Sequence, residues 1–524
     1  MNHRRASRRE FLRTFCCAAA AFSAGPLLSR AATSASASAA TTQSASAPAR
    51  PNILLLVADD LNCNSVGAFG CKVPEVTPHI DALAAEGIRF DYAHVNISVC
   101  QPSRSTWMTG RYSHHSGGEG FFHLRKPNIP ILPQLLRDAG YRVGILGKLQ
   151  HSTPYGNFKW DLQQDQPQLG QGRNPRVYHD FATEFMRQSK EAGRPFFLMA
   201  NSHDPHPPFF GADSAAWYQA KNAPSAVKPS RVYQPQEITV PGFLPDLPEV
   251  RKELAQYFSS VRRCDDTVGA VLEALRENGA EQNTLVLFLS DNGMSFPFSK
   301  ANCYLQSTKT PWIMRWPGMI KPGSVDSEHF ISGIDMMPTF LEAVGLPQPA
   351  EMDGRSFLPL LHGEKQDRRD LVFTQFYQTS GKQNYPMYCV QSRRFGYLYN
   401  AWSDGQREYR NNAMGGLTMK AMTKAAASNK AVAERVNFFF KRVPEEFYDF
   451  EQDPDALHNL IDDPKYKDEI GNMRQALEQW MSRTDQLVLE AFRARGDKQK
   501  QEEFMAKIKA EIGEKAKGEK IQQE

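Results

Sequence analysis

Six consecutive apolar residues, Ile53-Leu54-Leu55-Leu56-Val57-Ala58, stop abruptly at Asp59-Asp60. A run this short, with no polar alternation, reads as a strand buried on both faces, and such a strand needs a layer of helices on each side. The pattern then repeats. Thr77-Pro78 opens a helix that Gly87 closes, with Thr as N-cap and Pro in the first turn. Residues 132–139 read as helix and 141–146 as strand, 181–192 as helix and 195–200 as strand, and 248–278 as a long helix before a strand at 284–289. Helices alternating with buried strands predict a mostly parallel α/β sheet flanked by helices. In such sheets ligands bind beyond the carboxyl ends of the strands. That rule gathers Asp59, Asp60, Lys148, the His203 to His206 run, Asp291 and Asn292 along one rim.

From about residue 370 the pattern shifts to short strands (371–376, 388–391, 395–399), then Glu446-Phe447-Tyr448-Asp449-Phe450 and a helix at 466–484. This predicts a main domain over 51–369 and a smaller C-terminal α+β domain over 370–490. The tail, 491–524, is rich in Lys, Glu and Gln and predicts a solvated or frayed helix. At the other end, Ser7-Arg8-Arg9-Glu10-Phe11-Leu12-Arg13 precedes a short apolar stretch and Ser29-Arg30-Ala31-Ala32. This is the pattern of a twin-arginine signal peptide over 1–31, followed by an Ala/Ser/Thr-rich flexible linker over 32–50. It implies the twin-arginine translocation machinery as a partner and an exported, periplasmic or extracellular protein with no membrane anchor.

The net charge of +4 misleads, because residues 1–50 hold seven Arg against one acid while the remainder holds 55 basic and 57 acidic residues. The mature chain therefore has no global positive field for nucleic acid. Six of the eight cysteines lie outside the signal, too few and too scattered for a disulfide framework, although Cys63 and Cys71 could pair after export.

The most specific segment is Cys100-Gln101-Pro102-Ser103-Arg104, followed by Ser105-Thr106-Trp107-Met108-Thr109-Gly110-Arg111. It resembles the signature of the type I sulfatase family, whose fold is alkaline-phosphatase-like. In that family the Cys is oxidised to formylglycine by a formylglycine-generating enzyme. The hydrated aldehyde is a geminal diol. One hydroxyl attacks sulfur, and loss of the other's proton expels sulfate and restores the aldehyde, so one hard displacement becomes two easier ones.

The resemblance implies a Ca²⁺ ion held by Asp59, Asp60, Asp291 and Asn292 together with residue 100, since a hard cation calls for carboxylate and amide oxygens. It further implies that Arg104 and Lys148 hold the formylglycine, and that His206 and Lys300 contact the sulfate or the leaving group. The family usually has Gly-Lys-x-His, but here the order is Gly147-Lys148-Leu149-Gln150-His151. Either His151 reaches the site across a bulge or Gln150 stands in its place.

Within the family, His203-Asp204-Pro205-His206, the Ser290 to Tyr304 run, Tyr385-Pro386-Met387 and Val390-Gln391-Ser392 resemble the heparan N-sulfatase (sulfamidase) branch. Lys300 stands where that branch carries Arg, which keeps the charge but loses the planar fork. Asp204 becomes a candidate for contact with a glucosamine nitrogen or sugar hydroxyl. The implied substrate is a sulfated saccharide, first of all N-sulfoglucosamine of heparan-type glycans. The same tetrahedral anionic geometry would suit another O-sulfated sugar, an aryl sulfate, or a phosphonate or phosphate ester. A glycan-binding protein with unmodified Cys100 is the non-enzymatic alternative, but such a protein has no need of the Cys-x-Pro-Ser-Arg sequence.

Overall fold

A computed structural model describes residues 50–126, 128–212 and 227–517. The signal and the linker as far as residue 49 lie outside the described residues. Among the described residues fourteen strands occur in chain order: β1 (Asn52–Asp59), β2 (Ile88–Phe90), β3 (Ala93–His94), β4 (Arg142–Leu146), β5 (Leu162–Gln164), β6 (Phe196–Pro205), β7 (Thr284–Ser290), β8 (Trp312–Arg315), β9 (Ser324–Asp326), β10 (Ile331–Ser332), β11 (Val372–Gln378), β12 (Asn384–Gln391), β13 (Phe395–Asn400) and β14 (Glu445–Asp449). Eight form the main sheet in the order β5-β4-β6-β1-β7-β8-β2-β9, parallel except where β8 runs against its neighbours.

β1 shows why its apolar run has no alternation. Leu54, Leu56 and Ala58 face one hydrophobic cluster, and Ile53, Leu55 and Val57 face the other. The first face is covered by the Pro78–Ala85, Pro175–Glu191 and Pro248–Glu277 helices. The second is covered by the Leu132–Asp138 and Met336–Ala343 helices together with Trp107. Each fully buried Leu, Ile or Val contributes about 1.5–3 kcal/mol, so the central strand is strongly anchored. The Pro175–Glu191 helix begins six residues before the sequence pattern does, because Asn174 caps it through the Arg176 N–H and Pro175 takes the first turn.

β11 to β14 form an antiparallel four-stranded sheet. The Lys467–Arg483 helix covers it, with Trp480 stacked on Phe373 at 5.2 Å between ring centroids. Its buried side chains, among them Met387, Val390 and Phe447, belong to the same hydrophobic cluster as Leu54. Among the described residues no helix is long and apolar enough to cross a membrane. Cys63 and Cys71, which could have paired, are both free, as are the other four described cysteines.

The tail corrects the expectation of a solvated or frayed helix. Lys498–Lys515 is helical, with its start capped by Asp497, and it buries Phe504, Ile508 and Ile512. Lys515 reaches the buried Glu119 at 2.6 Å. Three apolar residues spaced at i, i+4 and i+8 are enough for one packed stripe, even on a helix otherwise covered in charge. Phe504→Ala is therefore expected to destabilise the protein by about 3–5 kcal/mol, read from the shift in its denaturant midpoint. A shift within error would mean the helix is only loosely docked.

Candidate active site

The register of the sheet brings three strand ends together. Ala58 pairs with Ser290 and Asp59 with Pro205, so β1, β6 and β7 end side by side, with β4 next to β6. The loops after these strands carry Asp60, Lys148, His206, Asp291 and Asn292. The Cys100–Thr109 helix points its first residue into the same place. Gly147 has φ +74°, and a Cβ there would strike the Asn201 carbonyl and the Tyr178 hydroxyl, so only glycine lets the chain deliver Lys148.

The site is a cluster of three acids and three cations, all buried. Lys148 Nζ lies 2.6 Å from Asp59 Oδ2. Lys300 Nζ lies 2.6 and 2.8 Å from the two oxygens of Asp60. Arg104 grips Asp291 through Nη2 at 2.7 Å and Nε at 2.9 Å. Cys100 Sγ sits among them, 3.4 Å from Asp59 Oδ1, 4.0 Å from Asp60 Oδ1 and 3.2 Å from Lys300 Nζ. Asn292 Nδ2 donates to Asp60 at 2.7 Å, and the Asp60 N–H donates to Asp291 at 3.1 Å. His206 Nε2 stands 3.8 Å from Asp60. Its Nδ1 lies 2.7 Å from the Pro207 carbonyl, which can only accept, so in the neutral ring Nε2 carries the lone pair.

Burial pushes the Cys100 thiol well above its ordinary range, and Asp59 adds to this, so the unmodified side chain is a neutral thiol and a poor nucleophile. Burial alone would raise Asp59, but Lys148, then His206, Arg104 and Lys300, outweigh it and hold that carboxyl well below the usual range. Burial would also lower Lys300, yet Asp60 and Cys100 hold it well above the ordinary lysine value, so it stays charged. His206 is lowered by burial and then by Lys300.

The donor set fits a hard divalent cation. Single ligand atoms of Asp59, Asp60, Cys100 and His206 all lie within 4.8 Å of one another. Asn292 Oδ1 is buried without a hydrogen-bond partner. Burial, then Asp59, push the Asp291 carboxyl up despite Arg104, a penalty that a divalent cation among these oxygens would reverse.

Asp204 has other partners than the sugar contact the sequence suggested. It is fully buried, and its oxygens are taken by Arg173 Nε at 3.0 Å and by Arg263 Nε and Nη2 at 2.6 and 3.0 Å. Arg173 also donates to the His206 carbonyl at 2.9 Å, so the trio braces the loop that carries His206. Sequence reading passed over both arginines, since neither lies in a recognisable motif. Asp204→Asn is accordingly expected to cost stability, on the order of 3 kcal/mol, because it leaves two buried guanidinium groups undercompensated. A rise in KM with an unchanged melting midpoint would instead restore the sugar contact.

His151 lies on the Leu149–Ser152 turn with its ring against Phe121 at 5.6 Å, while Gln150 is exposed. Ser152 and Asn201 were also missed. They accept from Arg104 Nη1 at 3.0 and 2.6 Å and hold its guanidinium in place. Asn201 had a signal: it is the polar residue that follows the apolar run Phe196-Phe197-Leu198-Met199-Ala200.

A small side chain at a helix start, ringed by paired acids and cations at the carboxyl edge of a mostly parallel sheet, suits the hydrolysis of tetrahedral anionic esters. The chain belongs to the sulfatase family and is a sulfuric ester hydrolase of alkaline-phosphatase-like fold: the sulfatase family model matches residues 51–346. A second model, that of the N-sulphoglucosamine sulphohydrolase C-terminal region, matches residues 294–407. Human N-sulphoglucosamine sulphohydrolase is 30% identical over 466 residues, which cover 83% of this chain and 91% of that protein. An ulvan-active sulfatase of Formosa agariphila is 28% identical, covering 86% and 83% of the two chains. The fold matches a solved structure in complex with D-glucosamine-2-N,6-O-disulfate, with a TM-score of 0.60 and 18% identity, covering 83% of this chain and 98% of that one.

Proposed function

We propose that this sulfatase removes sulfate from N-sulfoglucosamine units of heparan-type glycans, through a formylglycine made from Cys100 and with Ca²⁺ held by Asp59, Asp60, Asp291 and Asn292. The observation that carries the substrate is the 30% identity to human N-sulphoglucosamine sulphohydrolase across 91% of its length, which takes in the C-terminal region as well as the site. The sequence Cys100-Gln101-Pro102-Ser103-Arg104 supports the modification, since it is the stretch that resembles the recognition sequence for that oxidation. Once in place, the aldehyde hydrate supplies the attacking oxygen and the cation supplies Lewis acidity toward it and toward the sulfate.

The chain's own groups do the rest. Lys148 and Arg104 hold Asp59 and Asp291 and orient residue 100 between them. Lys300, fixed in its charged form, faces the sulfate oxygens. His206 presents its Nε2 lone pair toward the reacting groups, where it can take up a proton and, as imidazolium, return it to the leaving nitrogen or oxygen. The formylglycine-generating enzyme and the twin-arginine machinery belong to this reading as partners, and export to the periplasm or beyond as its location. The division at residue 370 is proposed as the boundary between the catalytic portion and the smaller C-terminal portion.

The test is a comparison of sulfate and amine release from N-sulfoglucosamine, 6-O-sulfated glucosamine and an aryl sulfate. The expected result is the highest kcat/KM on N-sulfoglucosamine. Turnover of an O-sulfated sugar with none of the sulfamate would overturn the substrate and favour an O-sulfatase.

A further inference from the structure

Lys300 is delivered by a turn with two non-glycine residues in left-handed backbone, Phe298 at φ +67° and Ala301 at φ +65°. L-residues keep such conformations only where their surroundings hold them. Part of the hold is local. Asn302 Nδ2 donates to the Ser299 carbonyl at 3.2 Å and to the Lys300 carbonyl at 3.1 Å. The Ala301 N–H donates to the Ser98 carbonyl at 2.9 Å, and Ser98 Oγ bonds both the N–H and the carbonyl of Asn302. The turn is thus stitched to a residue two places before Cys100.

The rest of the hold comes from beyond residue 369. Tyr409 donates its hydroxyl to the Ala301 carbonyl, and Asn411 Nδ2 donates to the Lys300 carbonyl at 3.3 Å. Arg442 is buried, and its Nη2 donates to Asn302 Oδ1 at 2.8 Å. Its guanidinium carbon lies 5.0 to 5.8 Å from the ring centres of Phe298, Tyr304, Tyr409, Phe438 and Phe439. Arg442 also donates to the Tyr304 hydroxyl, which in turn donates to Glu446 at 2.9 Å, so its charge is answered through that phenol. Because arginine has only donors, it forces Asn302 to turn its oxygen outward and its amide nitrogen toward the two turn carbonyls. No other orientation of that amide satisfies both sides.

We propose that Arg442 is a positioning residue for hydrolysis of the sulfamate or sulfate ester: by orienting Asn302 it sets the Lys300 ammonium against residue 100 and Asp60, with Tyr409 and Asn411 completing the clamp. This deepens the reading of Lys300 as a group at the reacting centre and rests on it. Arg442 touches neither Cys100 nor the three site acids in any hydrogen bond or ion pair among the described residues, so its effect has to pass through the turn.

The test is a double-mutant cycle on the full-length enzyme, with N-sulfoglucosamine and 4-nitrophenyl sulfate as probes and the melting midpoint recorded for every variant. Arg442→Lys keeps the charge and loses the fork, and a small displacement of a reacting group costs up to about 100-fold. The expected loss in kcat/KM is about 10- to 100-fold for Arg442→Lys and about 100-fold or more for Lys300→Met. The double variant is expected to be no worse than Lys300→Met alone, because the clamp has nothing left to place. Tyr409→Phe, which removes the bond to the Ala301 carbonyl and the one its hydroxyl accepts from Asn411 Nδ2, is expected to lose about 3- to 10-fold, again only while Lys300 is present. It decides the matter by the same criterion if Arg442→Lys does not fold. Losses that multiply in the double variants, or full activity in Arg442→Lys and Tyr409→Phe, would overturn the positioning role and leave the proposed function standing. Wild-type turnover by Lys300→Met would overturn the reading of Lys300, and this proposal with it.

Discussion

Cys100→Ala is expected to abolish turnover, with a loss on the order of 10⁴-fold or more, because in the proposed mechanism it deletes the side chain from which the attacking group is made while the groups around it remain. The fold should survive, since Cys100 is a small side chain at the first turn of a helix whose other nine residues are all buried. Cys100→Ser is the sharper variant. Its hydroxyl can attack sulfur, but it has no second hydroxyl whose deprotonation would expel the sulfate, so the protein should stall as a sulfate ester on the introduced serine. Mass analysis of the peptide containing residue 100 reads both predictions: formylglycine in active wild-type protein, and the trapped ester in Cys100→Ser. Active wild-type enzyme with an intact thiol at 100 would sink this mechanism.

The second large effect is expected at Asp60, the acid with the most partners in the cluster. It receives Lys300 on both oxygens and Asn292 on one, and it faces His206. Asp60→Asn removes one charge from a set of three carboxylates and is expected to lower kcat by about 100- to 1,000-fold. It should also weaken Ca²⁺ binding in a calorimetric titration of chelator-treated protein. Adding the same ion to chelated wild type is expected to raise thermal stability. Ion at 100 times its dissociation constant adds about 2.7 kcal/mol if the unfolded chain does not bind it. Calcium restoring neither the melting midpoint nor activity after chelation would remove the metal from the proposal.

Much of the fold was legible because one physical rule dominated it. A strand buried on both faces must be apolar throughout, so β1, β4 and β7 announced themselves, and the Pro-marked helix starts at Pro78 and Pro248 were legible, although the one at Pro175 was not. Strands β5 and β9, at the two edges of the sheet, were not legible. Each is only three residues long and partly exposed, so neither carries a pattern. The Lys498–Lys515 helix was misread because its composition is that of a solvated segment, and three buried residues among eighteen leave little trace in a composition. The buried partners of Asp204 were not legible, for a different reason. A carboxylate beside His206 in sequence looks available to a ligand, and only the convergence of Arg173 and Arg263 shows that its oxygens are already taken.

What the amino-acid order determined alone is the inventory of reactive side chains: Cys100 with its Pro, Ser and Arg, the acids that end two strands, and the lysine and histidine that follow two others. These are local facts, set by residue type and spacing along the chain. What the tertiary structure decided is which partner each charge meets. Asp59 pairs with Lys148, Asp60 with Lys300 and Asp291 with Arg104 across separations of 89, 240 and 187 residues. Pairings so distant depend on strand register and on turns such as the one Arg442 braces from beyond the main sheet. A sequence carries no local signal for either, because the energy that selects them exists only once the chain has closed around them.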